Sequence, residues 1–114
     1  MREADRDPGR LMDILAAAEY VCSFLKGCTY ESFIIDKMRY YAVLKNVEII
    51  GEAAYMLTPQ FKEQHSDIPW PSIIKMRHIL VHGYASVLPE ILWQKATVDV
   101  PGLVERIKQI KQEQ

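Results

Sequence analysis

Apolar residues recur at three- and four-residue steps along most of the chain. Leu11, Ile14, Leu15, Ala18, Val21, Cys22 and Leu25 form one such stripe, the repeat of an α-helix with a single buried face. Asp7-Pro8 reads as its start, a capping residue followed by a proline in the first turn. Gly27 supplies a stop. Thr29 can cap a second, longer helical pattern running from about Glu31 to Leu57. Thr58-Pro59 repeats the cap-plus-proline signal ahead of a short amphipathic piece, PQFKEQH. Pro69-Trp70-Pro71 starts a helix that Gly83 ends, Pro89 opens another short one, and Asp99 with Pro101 opens the last. No stretch alternates apolar and polar residues as a half-buried strand would. The pattern predicts an all-α bundle in which two long antiparallel helices are followed by shorter C-terminal ones, with residues 1–114 forming one domain.

Composition agrees with a packed globular chain. Of its 114 residues, 49% are hydrophobic and 25% charged. A chain of this size buries about two-thirds of its unfolded surface, so a core forms without metal or disulfide staples. The net charge of −1 excludes a global basic field, so a polyanion would have to be held by a local patch. Cys22 and Cys28 match no common zinc spacing and read as reduced thiols. The opening MREADRDPGR lacks the apolar centre of a signal peptide. No apolar run approaches the ~20 residues that span a bilayer. The expectation is a cytoplasmic protein without membrane contact.

The stretch KMRHILVHGY, residues 75–84, crowds Arg77, His78 and His82 together and closes on Gly83-Tyr84. On a helix, Ile73, Met76 and Leu80 share a core-facing side, while Pro71, Lys75, His78 and His82 share another stripe. Arg77 then lies roughly 140° from His82, so the two meet most readily when two copies of the helix face each other across a two-fold axis. A histidine exchanges protons near neutral pH, and an arginine grips phosphate with a fixed charge. Together they suit RNA cleavage, in which a base deprotonates the ribose 2′-hydroxyl and a cation steadies the phosphorane. That chemistry carries its nucleophile inside the substrate and calls for no metal or cofactor.

The same residues also fit a solvated helix end, where cationic groups favour the negative pole of the dipole. A metal pair is a third reading, because His78 and His82 have the i, i+4 spacing of two ligands. Ile79, Leu80 and Val81 separate them, however, and neither cysteine nor carboxylate lies near in sequence, so no metal site is expected. On the second long helix, Tyr41, Lys45, Glu48, Glu52 and Tyr55 fall on one stripe. It reads as a solvated or dimer-facing surface with Lys45 in reach of Glu48 or Glu52. Glu48 or Glu52 is also placed to orient Arg77 or a histidine. Trp70 and Trp93 read as core or interface anchors. Lys108 and Lys111 suit the negative end of the last helix and could add weak phosphate contacts.

Arg77, four residues, His82, Gly83, Tyr84 resembles the R-x4-H-x-Y signature of HEPN-domain proteins, the HepT toxin type in particular. NVEIIGEAA at 46–54, IPWPSIIKMRHILVHGY at 68–84 and EILWQKATVDVPGLVERI at 90–107 resemble that family's central and C-terminal segments. The resemblance implies an all-helical homodimer that cuts RNA without metal. It implies a partner as well, an MntA-like nucleotidyltransferase antitoxin. Carried over by position, Arg77 and His82 become the catalytic pair and Tyr84 the hydroxyl that receives AMP. The position after the arginine is commonly asparagine or aspartate in the family and is His78 here. That leaves two imidazoles to share the roles of base and acid. An alternative of another class is a non-catalytic helical subunit that docks the nucleotidyltransferase and its nucleotide.

Overall fold

The regular periodicity at the N-terminus becomes α1, Asp7–Phe24, which buries Leu11, Ile14, Leu15, Ala17, Ala18 and Val21. The structure is a computed structural model that describes residues 2–78 and 89–113. A short 3₁₀ turn, Glu3–Arg6, precedes α1, so Asp7 is the first helical residue and not the cap expected from the sequence. Its carboxylate is used elsewhere. Asp7 Oδ1 accepts the Thr58 backbone N–H at 3.0 Å, and Oδ2 accepts the Thr58 hydroxyl at 2.6 Å. Both residues are buried, and a buried carboxylate needs such partners. Past the helix, Gly27 at φ 73° takes the left-handed conformation that turns the chain.

The second long helix is shorter than its pattern suggests. It divides into α2, Tyr30–Ile35, and α3, Lys37–Met56, at Asp36, whose backbone is extended. Asp36 Oδ1 accepts the Arg39 N–H at 3.1 Å and caps α3. Thr29 caps α2 as expected, in a reciprocal box with Ser32. The helix α3 packs antiparallel to α1. Thr58, just past the end of α3, is held by Asp7 at the start of α1, and Arg10 Nη1 reaches the Met56 carbonyl at 2.6 Å. Val43, Leu44, Val47, Ile50 and Ala54 supply its buried side.

Thr58 Oγ1 accepts the Phe61 N–H at 3.2 Å and caps α4, Pro59–Gln64. Next, α5 covers Trp70–Ile74, with Trp70 in the core and its Nε1 donating to the His65 carbonyl at 3.0 Å. The expected α-helix is interrupted at the start of the motif, where the chain tightens into a 3₁₀ turn over Lys75–Arg77. The Gly83 stop lies outside the described residues.

The C-terminal part contains α6, Pro89–Gln94, and α7, Val100–Glu113. The break expected at Asp99 is absent. A π-helical turn over Lys95–Asp99 joins α6 and α7 without leaving the helical conformation. Pro101 has no N–H to give to the ladder, and the wider turn before it makes room for its ring. In α7, Leu103, Val104, Ile107 and Ile110 complete the core. Arg106 clamps the segment before α5 by donating from Nε and Nη2, one edge of its guanidinium, to the two oxygens of Asp67, the Nη2 to Oδ1 contact being 3.2 Å. Lys108, expected to suit the negative end of the last helix and to add weak phosphate contacts, pairs with Glu19 of α1 at 3.7 Å. Both cysteines are free thiols, and burial pushes the Cys22 thiol above its ordinary pKa. Among the described residues there is no strand, and no helix is long and apolar enough to cross a membrane.

Candidate functional site

The 3₁₀ turn that carries Lys75, Met76 and Arg77 lies directly on α3. Met76 fills the core, 1% exposed, as the sequence face predicts, and Ile73 beside it is buried too. The approach of the two backbones is set by Gly51. A Cβ built there would stand 2.2 Å from the Arg77 backbone nitrogen and 2.8 Å from the Met76 carbonyl carbon. Only glycine permits this contact, since real Cβ atoms do not come within 3.0 Å of such neighbours. A glycine in the middle of a helix costs about 0.5–1 kcal/mol relative to alanine, so the contact must return at least that much.

The side chain of Arg77 is held by the next turn of the same helix. Its guanidinium carbon lies 3.7 Å from the centre of the Tyr55 ring, well inside the ~6 Å limit for a cation–π contact. Nη1 stands 3.9 Å from Glu52 Oε2, an ion pair too long for a direct hydrogen bond, and the Glu52 side chain is 60% exposed. Nε is buried without a hydrogen-bond partner among the described residues. The other carboxylate expected to help, Glu48, is engaged through Oε1 with Lys45 Nζ at 3.3 Å. Its Oε2 is buried and has no partner among the described residues. Glu52 therefore reaches Arg77, and Glu48 closes the pair with Lys45 that the helix spacing allows.

His78 follows the 3₁₀ turn and is half-buried. His82 and Tyr84 lie outside the described residues, so the expected joining of Arg77 with His82, the His78–His82 pair and the position of the Tyr84 hydroxyl have no geometry here. Among the described residues, no three His, Cys, Asp or Glu side chains gather closely enough to hold an ion.

Two residues that matter to this geometry were not singled out by the sequence reading. Tyr55 stood on the α3 stripe only as part of a polar or dimer-facing surface, and Gly51 was one letter of NVEIIGEAA. The available signal was an isolated glycine inside a helix rich in good helix formers, which points to a close backbone approach. It does not reveal what approaches. Chemically, the result is one cation stacked on a ring, with its Nε buried and its Nη1 beside Glu52, so that an anion would meet it at the terminal nitrogens.

Comparison with known proteins places this geometry in a setting. The family model described as ribonuclease HepT-like matches residues 14–110. A protein of Caldanaerobacter subterraneus subsp. tengcongensis named "Putative RNase TTE0752" is 36% identical over 104 residues, covering 91% of this chain and 93% of its own. "Probable ribonuclease HepT" of Thermococcus cleftensis is 35% identical over 101 residues, covering 89% and 92%. "Putative RNase MJ1380" of Methanocaldococcus jannaschii is 37% identical over 98 residues, covering 86% and 90%. No solved structure matches the chain.

Proposed function

The chain belongs to the HepT-like ribonuclease family, and on that premise we propose that it is a metal-independent endoribonuclease, the toxin of a toxin–antitoxin pair, with Arg77 and His82 as its catalytic pair. The observation that carries this reading is the seating of Arg77. Its backbone is fixed against Gly51 and its guanidinium rests on Tyr55 beside Glu52. An arginine that only solvated a helix end would need none of this. A cation fixed before substrate arrives is what stabilises a developing negative charge most effectively.

In the proposed reaction a motif histidine, His82 or His78, takes the proton of a ribose 2′-hydroxyl. The 2′-oxygen attacks the adjacent phosphorus, and Arg77 neutralises charge on the non-bridging oxygens of the phosphorane. The bond to the 5′-oxygen of the next nucleotide then breaks, and that oxygen takes a proton from the second histidine or from water. The products are a 2′,3′-cyclic phosphate and a 5′-hydroxyl. The active form is a homodimer with the 75–84 segment near its axis, which lets Arg77 of one copy serve His82 of the other. The protein acts in the cytoplasm.

Control falls to an MntA-like nucleotidyltransferase. The Tyr84 oxygen attacks the α-phosphorus of ATP, releasing pyrophosphate and the phenolic proton. The resulting AMP ester brings a negative phosphate to the motif and competes with RNA for the cations. Labelled RNA incubated with the purified protein beside His82→Ala and Arg77→Ala tests the reading. Each variant should cut about 10²–10⁴-fold more slowly, the range for a positioned acid–base or charge-stabilising group. Undiminished cutting by both variants would contradict it.

A further inference from the structure

Gly51, Glu52 and Tyr55 of α3 all meet Arg77, and they are not equivalent. Glu52 is mostly exposed and stands 3.9 Å away, so it exerts attraction without fixing direction. Gly51 meets the Arg77 backbone and sets where it lies. Tyr55 meets the charged end itself, its ring centre lying 3.7 Å from Cζ. Nε is buried without a hydrogen-bond partner among the described residues, so no hydrogen bond there sets the tilt of the group.

We propose that Tyr55 is a positioning residue for Arg77, its ring setting the plane in which the guanidinium meets a phosphate. Gly51 and Tyr55 lie one helical turn apart, at i and i+4, so α3 holds the arginine at two points, by its backbone and by its charged end. Two points on one rigid element define direction better than a flexible ion pair does. Stacking leaves the in-plane N–H groups of a guanidinium to bind phosphate oxygens, and with Nε buried that task falls to the terminal nitrogens. The ring stacks without its hydroxyl. Tyr55 is 48% exposed and contributes little to the core, so its replacement leaves the bundle intact.

This role rests on the ribonuclease reading, and the test separates the two. Tyr55→Leu and Tyr55→Phe are compared with the parent protein in RNA cleavage and by NMR of the Arg77 side chain, assigned with Arg77→Lys. Ring current from Tyr55 should move the Arg77 Nε–H and Cδ–H resonances upfield in the parent and in Tyr55→Phe. They should return to ordinary arginine positions in Tyr55→Leu. In parallel, kcat should fall about tenfold to 10²-fold in Tyr55→Leu, the scale expected when a catalytic group loses its alignment. KM should change little, and Tyr55→Phe should stay within about twofold of the parent, since the ring face remains. Unshifted Arg77 resonances in the parent protein would overturn the geometry, and full kcat in Tyr55→Leu would overturn the role. A parent protein that shows the ring-current shift yet never cuts RNA would sink the ribonuclease reading, and this role with it, while leaving the stacking intact.

Discussion

Gly51 and Arg77 meet backbone to backbone: a methyl group on the one would lie 2.2 Å from the nitrogen of the other. The residues are distant in sequence, and their contact fixes how closely the Lys75–Arg77 turn approaches α3. Helix propensity and packing make opposite forecasts for Gly51→Ala. Propensity favours alanine by about 0.8–1 kcal/mol. Overpacking against backbone, which cannot rotate aside, costs about 1–3 kcal/mol. We expect packing to win, so that Gly51→Ala unfolds at lower urea concentration and cuts RNA more slowly because Arg77 is displaced. An alanine variant more stable than the parent would show that the two backbones are not pressed together.

A site shared between two copies makes a prediction that a site within one chain does not. Arg77→Ala and His82→Ala, each inactive alone, should regain part of the activity when mixed and allowed to exchange subunits. Random pairing yields some dimers with one intact composite site. No recovery from a mixture shown to exchange, or cleavage by a protein that sediments as a monomer, would place both residues in one chain.

Modification should be specific to the motif tyrosine. With ATP and the nucleotidyltransferase, the mass should rise by one or more AMP units and cleavage should stop. Tyr84→Phe should escape both effects and keep cutting. Labelling of Tyr84→Phe as full as that of the parent would move the acceptor to another residue.

The pH dependence of stability should carry a mark of Asp67. Hydrogen bonding from Arg106 holds its carboxyl below the ordinary carboxylate pKa. A group whose pKa is depressed on folding stabilises the protein above its unfolded value of about 3.9, and that contribution fades as pH falls through the folded value. Urea midpoints of the parent and of Asp67→Asn should therefore differ near neutrality and converge in acid. With a side chain 55% exposed, Asp67 should yield a small difference that salt reduces. A gap that stays constant down through the acid range would mean that the pairing is not ionic.

Local punctuation was the most legible part of the fold. Gly27, the Thr29 box, Thr58-Pro59 and the Pro69-Trp70-Pro71 start each act within a few residues, and each appears where its chemistry places it. The break at Asp36 was hidden because Phe33, Tyr40, Val43 and Val47 are all buried at helical intervals across it. The apolar period continues even though the helix does not. The π turn over Lys95–Asp99 shows the converse. Asp99 and Pro101 advertise a new start, yet Leu92, Ala96 and Val100 keep one buried face at steps of four. At the site, His82 and Tyr84 lie outside the described residues, while the nearness of Glu52 to Arg77 was readable. The stacking of Tyr55 on Arg77 and the seat at Gly51 were not, since they arise from how α3 meets a distant segment. Side chains on one helix stripe declare that they share a face, not what covers it.

The chemistry of the cut ends tests the account most directly. RNA digested by the parent protein in EDTA should end in 2′,3′-cyclic phosphate and 5′-hydroxyl groups, because the nucleophile is the substrate's own 2′-oxygen. RNA with 2′-deoxy nucleotides throughout should resist. Ends bearing a 3′-hydroxyl and 5′-phosphate, formed only when a divalent metal is supplied, would contradict the account and return His78 and His82 to the role of metal ligands.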